Sequence, residues 1–137
     1  MEMTIFVIED DDALFDALKT GLESWLFKVT RPDRFDEVMR SFSEHRSYLI
    51  IMDVLLPKFD GFYWCRESRA VSEVPILFLL SRDLPIDMVM AMNMGADDDM
   101  KEPFHTDVLY IKVLAKGYYT EMWGFIEEEY FPIDAKW

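Results

Sequence analysis

The chain has 137 residues, enough for one domain with a real core and too few for two. Its 27 acidic and 14 basic residues leave a net charge of −13, which argues against nonspecific grip on nucleic acid or an anionic membrane; metal cations, basic partners or plain solubility fit instead. The single cysteine, Cys65, excludes an intramolecular disulfide and a thiolate metal cluster, suits a reducing cytosol and reads as a small core residue. The N-terminal MEMTIFVIEDDD lacks the basic start of an export signal, and no apolar run approaches the ~18 residues of a membrane span. A soluble, cytoplasmic protein is expected.

In chain order, Thr4 to Ile8 is a continuous apolar run without period-two alternation, the pattern of a strand buried on both faces. Leu14, Leu18, Leu22 and Trp25 recur at helical spacing, Phe27 to Thr30 supplies a short second strand, and Phe35, Val38, Met39 and Phe42 mark a second helix. Tyr48 to Met52 and Pro75 to Leu80 repeat the buried-strand pattern. Asp98 to Met100 gives a short fifth strand, and Val108, Ile111, Leu114 and Ala115 trace the apolar stripe of a last helix. Strands alternating with helices predict a parallel sheet covered by helices, roughly (βα)5, with residues 1 to about 120 as one domain. Residues 121–137 read as an acidic-aromatic extension. From Gly117 onward, aromatics such as Tyr118, Trp123 and Phe125 accompany Glu127, Glu128 and Glu129, so this tail either folds back on its domain or binds a partner.

In a parallel α/β sheet, ligands lie beyond the carboxyl ends of the strands, where the strand order reverses. Glu9 and Asp10 follow the first run and Asp53 follows the third, so with those strands adjacent the three acids converge at one rim. Three carboxylates that close must hold either a proton or a cation, and oxygen ligands with open water positions suit Mg²⁺. Asp11 and Asp12 read as the acidic first turn of the next helix, and Asp60-Gly61 as turn chemistry. Asp53 differs, because an acid ending a buried strand is costly unless something compensates its charge. His45 and His105 lack metal-ligand spacing, and the Met88, Met90, Met92, Met94 run reads as partly packed and partly solvent-facing.

The segments "FVIEDDDALF", "MDVLLPKFDGF" and "GADDDMKEPF", in this order, resemble the receiver domain of bacterial two-component response regulators over roughly residues 4 to 120. "LPKFDGFYWCR", "VPILFL" and "PFHTDVL" are further similar to the OmpR/PhoB-type branch paired with bacitracin-type efflux transporters. The resemblance implies a CheY-like, flavodoxin-like (βα)5 three-layer sandwich with strand order 2-1-3-4-5. It also implies that Asp53 accepts a phosphoryl group from a sensor histidine kinase. Asp10, Asp53 and the backbone carbonyl of Leu55 would hold Mg²⁺ directly, and Glu9 through water. A metal-screened carboxylate attacking phosphorus gives an acyl phosphate, chemistry that the acid cluster independently suits. Such a domain is not an enzyme beyond self-phosphorylation from small donors and autodephosphorylation.

Two positions depart from that family. Its Ser or Thr at the end of the fourth strand is Leu80 here, and its Lys before the Pro-Phe is Glu102. Ser81 and Lys101 adjoin them, but neighbouring strand residues face opposite ways, so neither substitutes without a register slip. At ~4 Å and an effective dielectric of ~20, exchanging attraction for repulsion is a swing of several kcal/mol, so the phosphoryl-driven switch is expected to be impaired. The last helix departs too, with "KVLAKGYYTEMWGF" where the branch is basic. That change touches the face of the fourth helix, fifth strand and last helix, through which the resemblance implies a homodimer. Neither a following winged-helix segment nor direct nucleic-acid binding is expected. The alternatives are a degenerate or deliberately altered receiver-fold module that binds partners independently of phosphorylation, and a Mg²⁺-dependent phosphohydrolase. The latter normally carries an acid two residues after its nucleophile, where this chain has Leu55.

Overall fold

The computed structural model describes residues 3–44, 47–56, 59–80, 89–90, 92–101, 105 and 107–115. Among them, strands β1 (Thr4–Ile8), β2 (Lys28–Thr30), β3 (Leu49–Asp53), β4 (Ile76–Leu80) and β5 (Asp98–Lys101) form one parallel sheet in the order β2-β1-β3-β4-β5. Helices α1 (Asp12–Ser24), α2 (Val38–Glu44) and α3 (Gly61–Val71) are joined by helical residues at 89–90, 92–93 and 107–115. This is the expected flavodoxin-like order, with each strand within a residue or two of its sequence reading; Asp53 closes β3 rather than following it.

Alternation along the strands sorts the core into two layers. Ile5, Val7, Leu49, Ile51, Leu77 and Leu79 pack with Phe15, Leu18 and Leu22 of α1 and with Leu109 and Val113. Phe6, Ile8, Ile50, Met52, Phe78 and Leu80 pack on the opposite face with Val38, Trp64 and Cys65. Burial on both faces is why these strands read as unbroken apolar runs. Cys65 is the expected core residue, and burial pushes its thiol up to about 11. Met92 is exposed and Met94 packs on the core; Met88 lies outside the described residues, as do His45 and the tail from 116. No helix among the described residues is long and apolar enough to cross a membrane.

The stripe expected for the last helix is corrected. Leu109 and Val113 are the buried residues, whereas Val108, Ile111, Leu114 and Ala115 are exposed. Apolar residues occupy both faces of this short segment, so spacing alone selects the wrong one.

The "GADD" run that supports the family resemblance is scaffold. Arg69 donates to the carbonyls of Gly95 (2.9 Å) and Val74 (2.6 Å) and to Asp97 (2.6 Å), and Asp97 also accepts the Ile76 amide at 2.8 Å. The turn entering β5 is thereby tied to the start of β4, at the rim opposite the acids. Gly95 adopts φ 101°, and an added Cβ would meet the Arg69 side chain.

Helix α1 ends in a Schellman motif, with the Phe27 amide on Leu22 O (3.2 Å) and the Leu26 amide on Glu23 O (3.0 Å). Its left-handed position falls on Leu26, at φ 70° and 89% exposed. A leucine there is strained without burying anything in return. Leu26→Gly is expected to raise stability by about 1 kcal/mol, read as a higher urea midpoint at unchanged slope.

Candidate functional site

The sheet order reverses between β1 and β3, and the ladder there pairs Ile8 with Met52. The next residues, Glu9 and Asp53, therefore emerge level with each other at the carboxyl rim, the position where this architecture binds ligands. Glu9, Asp10 and Asp53 each bring one carboxylate oxygen within 4.8 Å of the others. Asp10 is exposed, Asp53 half-buried and Glu9 only 1% exposed.

Glu9 bears most of the electrostatic cost. Its Oε2 accepts the Asp11 amide at 3.1 Å, and its Oε1 is buried. Burial raises its carboxyl from 4.5 to about 8; the Asp11 amide opposes the rise, and the charge of Asp53, a hydrogen bond shared with the Asp53 side chain and the charge of Asp10 add to it. Without a cation, burial therefore favours the protonated form of Glu9.

The surrounding elements position this cluster. Asp11 caps α1 by accepting the Leu14 amide at 3.1 Å, and Asp12 supplies the acidic first turn, as read from the sequence. Asp53 Oδ1 accepts the amide of Leu55, whose side chain is exposed, at 3.3 Å. Asp60 and Gly61, read as a turn, open a helix instead: Asp60 caps α3 through the Tyr63 amide (2.9 Å), and the Gly61 amide donates to Val54 O (2.9 Å). Gly61 has no room for a side chain, because an added Cβ would run into the Asp53 carbonyl oxygen.

On the far side, Leu80 is 1% exposed within the apolar layer under α3. The β4–β5 ladder runs in unbroken register from Leu77 with Asp98 to Leu80 with Lys101, so no slip occurs among the described residues. Lys101 is partly buried beside Leu80. Ser81 and Glu102 lie outside the described residues.

The sequence reading missed Arg31, which follows β2 and reaches the acidic turn: Nε and Nη2 donate to Glu9 O at 3.1 and 2.8 Å, and Nη1 meets Asp12 at 2.9 Å. A cation just beyond a strand's carboxyl end was the available signal.

The family model described as "Response regulator receiver domain" matches residues 5–114. The chain belongs to the response regulator receiver family. This receiver is 53% identical over 127 residues to the response regulator protein GraR of Staphylococcus haemolyticus, covering 93% of the chain and 56% of that relative. Identity to GraR of Staphylococcus aureus strain Newman is 50% over the same length. The chain spans about half the length of the curated relatives it matches. Among solved structures, the N-terminal domain of the nisin resistance regulator NsrR shares 38% identity at a TM-score of 0.78, covering 85% of this chain and 99% of that one. The chemotaxis protein CheY4 of Vibrio cholerae, at 20% identity and TM-score 0.78 over 85% of this chain and 99% of its own, shows the common fold. This is a receiver domain of two-component signalling, a family whose members are phosphorylated by sensor histidine kinases and generally hold Mg²⁺ in an acidic pocket.

Proposed function

We propose that Asp53 is the phosphoacceptor of this receiver, loaded by a sensor histidine kinase, and that Asp10, Asp53 and the Leu55 backbone carbonyl hold Mg²⁺ with Glu9 acting through water. The observation that carries the reading is a buried acid, Glu9, held within 4.8 Å of Asp10 and Asp53 at the switch point. A merely solvated acidic surface would not bury one of its members.

The fit supports a small oxygen-preferring cation, whose charge would screen a carboxylate approaching an anionic phosphoryl group. The chain's own residues do the rest. The Leu55 amide orients the Asp53 carboxylate, which attacks phosphorus as the bond to the donor nitrogen breaks. Glu9, protonated below about pH 8, gives up its proton when its carboxylate is recruited. Leu80 offers no hydroxyl to the product, and Glu102 takes the family's lysine position, so acceptance is retained while switching is weak. Residues 1–120 form the receiver and 121–137 an extension, acting in the cytoplasm, with slow self-phosphorylation from small donors.

Incubation with Mg²⁺ and acetyl phosphate, followed by intact mass, is expected to add one phosphoryl group to the wild type and none to Asp53→Ala. A folded wild type that gains no mass would instead favour a binding module that works without phosphorylation.

A further inference from the structure

Arg31 lies beside the acidic rim but belongs to none of the roles assigned above. Its guanidinium packs 4.3 Å from the Phe15 ring centroid and 5.7 Å from that of Phe35, on a side chain only 26% exposed. Two of its nitrogens converge on the Glu9 carbonyl oxygen and a third reaches Asp12. One planar, rigid fork therefore ties the first residue beyond β1 to the first residue of α1, across the turn that carries Asp10 and Asp11. The Asp12 end is 85% exposed and contributes little on its own. The part-buried, two-pronged bond to the Glu9 carbonyl is the stronger end, and it fixes the backbone whose side chain meets Asp53.

We propose that Arg31 is a positioning residue for cation binding: it holds the Glu9–Asp12 turn so that Glu9 and Asp10 face Asp53 before any cation arrives. The inference rests on the metal-site reading of the pocket. Carboxylates crowded this closely repel and tend to swing apart as they ionise, and residues that orient ligands from behind set the geometry a cation meets. If Arg31 served only to staple β2 against α1, its loss would lower stability and leave cation affinity intact.

The test is calorimetric titration of the full chain with Mg²⁺ alone at pH 8, for wild type, Arg31→Gln and Arg31→Lys, with thermal melts in EDTA alongside. Arg31→Gln is expected to weaken Mg²⁺ binding about ten-fold or more. Arg31→Lys keeps the charge and an apolar stem between the rings, so it recovers most of the melting temperature, but an ammonium cannot reproduce the fork and affinity stays low. Wild-type affinity in Arg31→Gln overturns the proposal. So does full recovery of affinity in Arg31→Lys, which reduces the role to charge; this variant also decides the matter if Arg31→Gln fails to fold. A folded wild type that takes up no Mg²⁺ removes the metal reading itself and the inference with it, an outcome read before any variant is compared.

Discussion

Gly61→Ala is expected to lose about 3 kcal/mol of stability, although alanine is the better helix former. Gly61 is the first residue of α3, and its φ lies outside the left-handed region, so backbone strain plays no part. Helix propensity alone favours alanine by about 1 kcal/mol. Opposing it, the added methyl would collide with the Asp53 carbonyl oxygen and fall 2.9 Å from the Phe78 ring and 3.0 Å from the Asp53 carbonyl carbon. Neither neighbour yields cheaply. Asp53 ends a strand paired on both sides, by β1 and β4, and Phe78 is fully buried. Steric overlap with fixed backbone outweighs propensity, so urea unfolding should show a lower midpoint. The displaced group is the main chain of the proposed phosphoacceptor, and Mg²⁺ affinity should fall in the same variant. A gain in stability would mean that α3 shifts freely, and would remove the claim that this glycine sets the position of Asp53.

The contrast between Gly61 and the strands shows which features a sequence exposes. β1, β3 and β4 are legible because two-sided burial forces unbroken apolar runs, and once β1 and β3 are neighbours their register alone brings Glu9 level with Asp53. The Asp11 cap is legible because it is local, acting three residues away on Leu14. Gly61 gave a turn signal because Asp-Gly is a common turn pair; its actual constraint is a carbonyl oxygen eight residues back, which no local pattern encodes. Arg31 acts across 22 residues, through a side chain whose reach depends on how β2 packs beside β1. The last helix failed for another reason. Val108, Ile111 and Leu114 form a stripe as regular as that of Leu109 and Val113, and only the sheet chooses between them. The extent of Glu9 burial was likewise invisible, since an acid in a run of four acids reads as surface.

In EDTA, the stability of the wild type should fall as pH rises from about 4.5 to about 8, by an amount that Glu9→Gln abolishes. In the folded chain Glu9 is raised from 4.5 to about 8, so between those values the native state holds a proton that the unfolded chain has released. Unfolding then releases a proton, and the free energy of unfolding falls with pH until the native carboxyl also ionises. The stabilisation is fully present below 4.5 and mostly lost by 8, a change of up to about 5 kcal/mol. Gln is nearly isosteric and always neutral, so chemical denaturation of the two proteins at pH 5, 6.5 and 8 isolates the contribution of Glu9 from the general charge of −13. Above pH 7 the metal-free variant should be the more stable of the pair. Mg²⁺ should reverse that order, since ionised Glu9 then has a countercharge: wild-type stability gained on adding Mg²⁺ should grow from pH 6 to pH 8 and be smaller in Glu9→Gln. Parallel pH profiles for the two proteins in EDTA would show that Glu9 ionises as a solvated acid does, and the buried oxygen would then lose its weight as a sign of a cation site.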